Sequence, residues 1–179
     1  IMLLPQGIFL FFLATVAFPT FAAQVAHHNL VALRSTFTTS LRTILFFILP
    51  AAIGLILLAQ PLIAVLLQRN AFTAASTALV TTALQMYALG LVGHSVVEIA
   101  ARAFYALHDT TTPVVVGVSA MLLNIVLSLL LLGPLQHGGL ALANSIATTL
   151  EMIVLLWLLR KRLDGLDSEM LAPSLWRTG

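Results

Sequence analysis

Cysteine is absent from this 179-residue chain, which excludes disulfides, thiolate metal sites and cysteine nucleophiles and leaves the redox compartment open. Charge is nearly as scarce. Asp, Glu, Lys and Arg make up 8% of the residues, against about a quarter in an ordinary soluble domain. Residues 1–33, 43–68, 70–97 and 110–150 contain none of them. With 60% hydrophobic residues, the chain cannot cover itself with a wettable surface, so it reads as an all-α polytopic transmembrane helix bundle. The formal charge of +2 comes from basic residues gathered near span ends. That pattern reports topology, and no nucleic-acid partner is expected.

Catalytic wording is missing too. There is no GxSxG, no phosphate-binding glycine loop and no metal-ligand pair at helical spacing, so no enzyme, cofactor or metal site is expected. His27 and His28 are adjacent, which on a helix points them about 100° apart, unlike the i, i+4 pair of a zinc helix. The start lacks a basic n-region and a cleavage site and is not read as a signal peptide. The chain reads as a fragment of a longer protein, one membrane domain over 1–179.

What is present is a series of apolar helical runs. Spans are predicted at about 1–21, 43–59, 76–105, 113–132 and 139–159, each compared with the roughly 20 residues needed to cross a bilayer. Leu30, Leu33, Phe37 and Leu41 recur at helical spacing, predicting an amphipathic interfacial helix over 29–42. Gln60 and Pro61 are expected to set off a short apolar segment, 61–68, and 133–138 to form a turn. Pro50 predicts a kink, and Gly90 and Gly93 a bend or a close helix contact. Thr112 is expected to cap a helix that begins at Pro113. Residues 163–179 read as a cytoplasmic linker.

With five crossings, Arg34, Arg42, Arg102, Arg160, Lys161 and Arg162 fall on one side and Arg69 on the other. The positive-inside bias makes the first side cytoplasmic and puts the N-terminus outside. The remaining polar residues are the candidates for function. His94, Glu98 and Arg102 fall at i, i+4, i+8 and form one stripe on a helix. Either they line a cytoplasmic vestibule, or Glu98 and Arg102 are a self-neutralised anchor. Glu151 lies mid-span on a face of small residues, Gly139, Ala143 and Ala147. It would serve protonation-linked gating or bridge helices, to Asn124 or Asn144. Arg42 could draw anionic head groups to a cavity mouth; its bland reading is topogenic.

At Arg69-Asn70-Ala71-Phe72-Thr73, Ala101-Arg102-Ala103-Phe104-Tyr105-Ala106, Asp109-Thr110-Thr111-Thr112-Pro113 and Gly139-Leu140-Ala141-Leu142-Ala143, the sequence resembles the MurJ/MviN family. These are lipid II flippases of the multidrug/oligosaccharidyl-lipid/polysaccharide transporter superfamily. The resemblance covers roughly residues 1–163 and implies spans eight to twelve of a fourteen-span transporter, part of one and a half lobes. It implies movement of the undecaprenyl-diphosphate-linked peptidoglycan precursor, lipid II, across the bacterial inner membrane by alternating access. The partners implied are lipid II, membrane lipids and an N-terminal lobe outside this sequence, which would carry most of the cavity arginines. The family commonly has Lys where Glu98 stands and Asn where Glu151 stands. Those departures weaken a phosphate role for Glu98 and ion coupling at Glu151. The alternatives are another polysaccharide-lipid or drug exporter of the superfamily, or a non-transporting membrane scaffold.

Overall fold

The computed structural model describes residues 17–27, 30–67 and 74–163. Of the predicted first span only residues 17–21 fall among these. The 69–73 turn and residues 164–179 lie outside them. The described chain is all-helical, with α1 at residues 17–26, α2 at Leu30–Leu67, α3 at Ala74–Ala106 and α4 at Thr111–Arg162. Four stretches are long and apolar enough to cross a membrane: Val31–Leu66, Thr77–Ala106, Thr111–Gly133 and Gly138–Arg162. The fold is a polytopic transmembrane bundle.

α2 differs from the sequence expectation. The interfacial helix, the second span and the short apolar segment form one unbroken helix that contains both Pro50 and Pro61. The cause is a single buried stripe. Leu33, Phe37, Leu41, Ile44, Ile48, Ala52, Leu55, Ala59 and Ile63 are all buried, in steps of three or four, so one face stays against the bundle from end to end. Both prolines lie on the opposite, exposed face. The carbonyls they deprive of a partner, those of Phe46 and Leu57, therefore fall on residues outside the packed seam. At 1.5 Å per residue α2 is about 57 Å long, well beyond the ~30 Å of hydrocarbon.

α4 has helical backbone throughout Thr111–Arg162, yet it is not a straight rod. The Asn124 and Asn144 side chains are hydrogen-bonded at 3.1 Å, whereas twenty residues of straight helix would separate them by about 30 Å. A Cβ on Gly139 would collide with the Leu131 carbonyl. Gly117 likewise faces Glu151. The helix axis therefore reverses between Gly133 and Gly138, giving two antiparallel arms.

The helices pack in chain order. Phe21 of α1 meets Phe37 of α2 with ring centroids 6.4 Å apart, and Gln24 Nε2 donates to Thr36 Oγ1 at 2.8 Å. Gln85 of α3 donates to the Ile56 carbonyl of α2 at 3.0 Å. Ser145, on the second arm of α4, donates to the Met86 carbonyl of α3 at 2.5 Å. Gly90 faces Ser145 and Gly93 faces Thr148, a near-constant offset that makes α3 and this second arm parallel. The first arm is outermost, with Val118, Met121 and Leu129 exposed. Small residues on the α3–α4 seam allow the close approach that drives helix association in hydrocarbon, where the hydrophobic effect between helices is lost.

Candidate functional site

The corner between α3 and α4 is built by two linked caps. Asp109 N–H donates to the Phe104 carbonyl and His108 N–H to the Tyr105 carbonyl, both at 3.0 Å, while His108 takes a left-handed φ of 58°. This paired pattern is the Schellman closure of a helix, with histidine where glycine is usual. The next residue starts the following helix. The Asp109 carboxylate accepts from Thr112 N–H at 3.0 Å and from Thr112 Oγ1 at 2.8 Å. The predicted cap at Thr112 is thus corrected: α4 begins at Thr111, Thr112 is a donor, and Asp109 supplies the capping oxygens. Arg162, at the far end of α4, bonds Asp109 Oδ2 at 2.6 Å, closing the hairpin at its basic end.

These contacts hold the Asp109 carboxyl below its ordinary range. The Thr112 amide contributes most, then the Thr112 hydroxyl, with Arg162 adding a smaller effect and burial opposing them. A carboxyl whose folded value is depressed adds stability above its unfolded value, about 3.9, and loses it as pH falls through the folded value. Asp109→Ala is expected to cost about 1 kcal/mol, the usual loss for a helix cap. Asp109→Asn keeps the cap oxygen and should lose less. In both variants thermal unfolding in detergent should lose the acid-side slope that Asp109 gives the wild type.

One turn inside the corner, Arg102 is bound by Glu98 alone among the described residues. Its guanidinium donates to the Glu98 carbonyl at 2.9 Å and meets Glu98 Oε1 at 2.8 Å. The Glu98 side chain is 45% exposed and that of Arg102 24%, so the pair sits at the bundle edge. His94, on the same stripe, turns the other way. Its Nε2 lies 3.1 Å from Asn144 Nδ2 and 3.3 Å from Thr148 Oγ1 on α4. Asn144 Oδ1 accepts from Asn124 Nδ2 at 3.1 Å, and Asn124 Oδ1 from Ser128 Oγ at 3.0 Å. The result is a polar row running from α3 through the second arm of α4 to the first. Glu151 stands apart from it, its Oε1 facing Gly117 across the hairpin seam. Asn124 and Asn144 bond each other and not Glu151.

The family model described as "Lipid II flippase MurJ" matches residues 1–178. The chain belongs to the MurJ lipid II flippase family. It is 33% identical over 159 residues to the "Probable lipid II flippase MurJ" of Rhizobium tropici, covering 89% of this chain and 30% of that protein. It is 31% identical over 157 residues to the "Lipid II flippase MurJ" of Thermosipho africanus, covering 87% and 32%. A solved structure, "Lipid II flippase MurJ, inward closed conformation", superposes with a TM-score of 0.80 at 30% identity, covering 88% of this chain and 33% of that one. This MurJ-family chain spans about a third of the length of the curated relatives it matches.

Within the MurJ-family chain, the motifs behind the resemblance acquire physical roles. Ala103, Phe104 and Ala106 are buried at the foot of α3, Arg102 closes on Glu98, and Asp109 with Thr112 forms the cap. The structure brings Glu98 and Arg102 together, points His94 away from them into α4, and leaves Glu151 in a separate seam. Arg42 lies exposed near the start of α2. The antiparallel pairing of α2 with α3 sets it at the same end of the bundle as Arg102. Gly90 and Gly93 face the second arm of α4. Sequence reasoning missed Asn144 and Thr148 as partners of His94. Their signal was i, i+4 spacing on one arm of α4, but nothing in sequence pairs that arm with α3.

Proposed function

We propose that this chain forms most of one lobe of a transporter that moves lipid II across the bacterial inner membrane by alternating access. The observation that carries the reading is the family match over residues 1–178, supported by the common fold with a solved family member. In this reading the lobe rocks against an N-terminal lobe outside this sequence, and that second lobe supplies most of the cations that receive the diphosphate. The end bearing Arg34, Arg42, Arg102 and Arg160–Arg162 faces the cytoplasm, in keeping with the positive-inside bias. Membrane lipids cover the outer arm of α4. Complementation of flippase-depleted bacteria with the full-length gene tests the substrate. Failure to restore lipid II export, despite correct insertion, overturns it.

Within that reading the Glu98–Arg102 pair flanks the cytoplasmic mouth and biases the inward- to outward-facing equilibrium, with His94, Glu151 and Arg42 as further path candidates. A partly exposed i, i+4 pair contributes only about 0.3–0.5 kcal/mol to a helix. Glu98→Gln and Arg102→Ala should therefore leave protein abundance close to wild type while altering transport in the complementation assay. If both variants lower abundance and leave transport per molecule unchanged, the pair is an anchor only.

A further inference from the structure

We propose that His94 is a positioning residue whose protonation state sets the direction of the hydrogen-bonded row His94–Asn144–Asn124–Ser128. The row as it stands has one sense. The Ser128 hydroxyl donates to Asn124, Asn124 Nδ2 donates to Asn144, and Asn144 Nδ2 faces His94 Nε2. An amide nitrogen only donates, so Nε2 must be the acceptor and the ring neutral, with its proton on Nδ1. Thr148, the other neighbour of Nε2, has a hydroxyl that rotates and suits either sense.

Protonation puts an N–H on Nε2, facing the Asn144 NH2. Thr148 Oγ1, at 3.3 Å, can accept from that N–H, but the row keeps its own bond to the ring only if Asn144 turns its oxygen toward Nε2. Its NH2 then faces Asn124, which must turn as well, and Ser128 must rotate from donor to acceptor. The reversed row is also fully bonded, so the assembly has two self-consistent states, and a mixture of them leaves a bond in the row unmade. A proton on α3 is thereby read out at Ser128, on the far arm of α4. Two amides and two hydroxyls move while no helix need separate.

The charges around the ring are few. On α3, Glu98 lies about one turn beyond His94 and is itself tied to Arg102. On α4, Glu151 follows Thr148 by about one turn. The charges of α2 are Arg34 and Arg42, near its start. None of these stands within the row.

The test uses full-length protein in bilayers with 15N-labelled histidine and asparagine. The His94 ring is identified by its through-space contact with the Asn144 amide. The expected result is a neutral ring with an unprotonated Nε2, and a shift of the Asn144 and Asn124 side-chain amides that follows ring protonation on acidification. A neutral ring protonated on Nε2, or amides that ignore the titration, overturns the proposal. The functional arm rests on the transport reading above. Wild type should show a step in its transport pH profile coincident with the ring titration, and His94→Gln, which can accept but not titrate, should lose that step. Retention of the same step in His94→Gln overturns the coupling. If the full-length protein moves no lipid II at all, the transport reading fails, and the resonance measurement still decides the row.

Discussion

Gly90→Ala is expected to destabilise the bundle, by about 1–3 kcal/mol as for other overpacked sites, with a matching fall in melting temperature in detergent. The added Cβ would lie 2.7 Å from Ser145 Oγ and 2.9 Å from Ser145 Cα. The hydroxyl cannot rotate away freely, because Ser145 Oγ is already bonded to the Met86 carbonyl. The second neighbour is backbone, so the second arm of α4 must shift as a whole. Ser145→Gly removes the hydroxyl but leaves the backbone clash in place, and should rescue Gly90→Ala only in part. Gly54→Ala supplies the control. Nothing lies within 4 Å of a Cβ there, so the ordinary helix advantage of alanine over glycine, up to about 1 kcal/mol, should appear as a gain. Equal losses at the two positions would show that helix propensity, not interhelical contact, governs this seam.

This contrast also marks how far the sequence could be read. The helical class and the membrane crossing followed from the near-absence of charge over long runs. The corner at Asp109 was visible as the one dense polar stretch between two such runs. Two things were hidden. Proline is a strong local breaker of helices, so Pro61 predicts a division of α2. The stripe that overrides it, Leu33 to Ile63, is a tertiary property that appears only when the same face is seen to stay buried. Pro113 suits a first helical position, which in sequence points to Thr112 as the cap. Asp109 takes that role because the Schellman closure at His108 delivers its carboxylate to the Thr112 amide, and histidine in a glycine position gave no warning.

The candidate site divides in the same way. Glu98 and Arg102 were legible because an i, i+4 pair is encoded within one helix. The partners of His94 were not, because they depend on α3 running parallel to the second arm of α4 at one offset. A stripe of His94, Glu98 and Arg102 on one face suggests a common environment. The structure splits it, since a 100° step per residue makes that stripe wide enough to face both the bundle edge and the α4 seam.

Asn144→Leu is the second large effect expected. Asn144 is the only member of the row bonded to both α3 and the first arm of α4. Its loss leaves the His94 nitrogen and the Asn124 NH2 with no partner in the row. Stranding a buried polar group costs roughly 1–3 kcal/mol in proteins generally, but single hydrogen bonds between membrane helices average only about 0.6 kcal/mol. Two bonds fail together here, while Thr148 still reaches the ring and offsets part of the loss, so about 1–2 kcal/mol is the expected total. Asn124→Leu breaks one interhelical bond and frees Ser128, whose hydroxyl can return to its own helix backbone, so it should cost less. The decisive measurement is the double variant. With Asn144 already gone, Asn124 no longer bonds the second arm, so adding Asn124→Leu should cost almost nothing further. Additive losses would mean that the two asparagines act independently, and the row would then not be a unit.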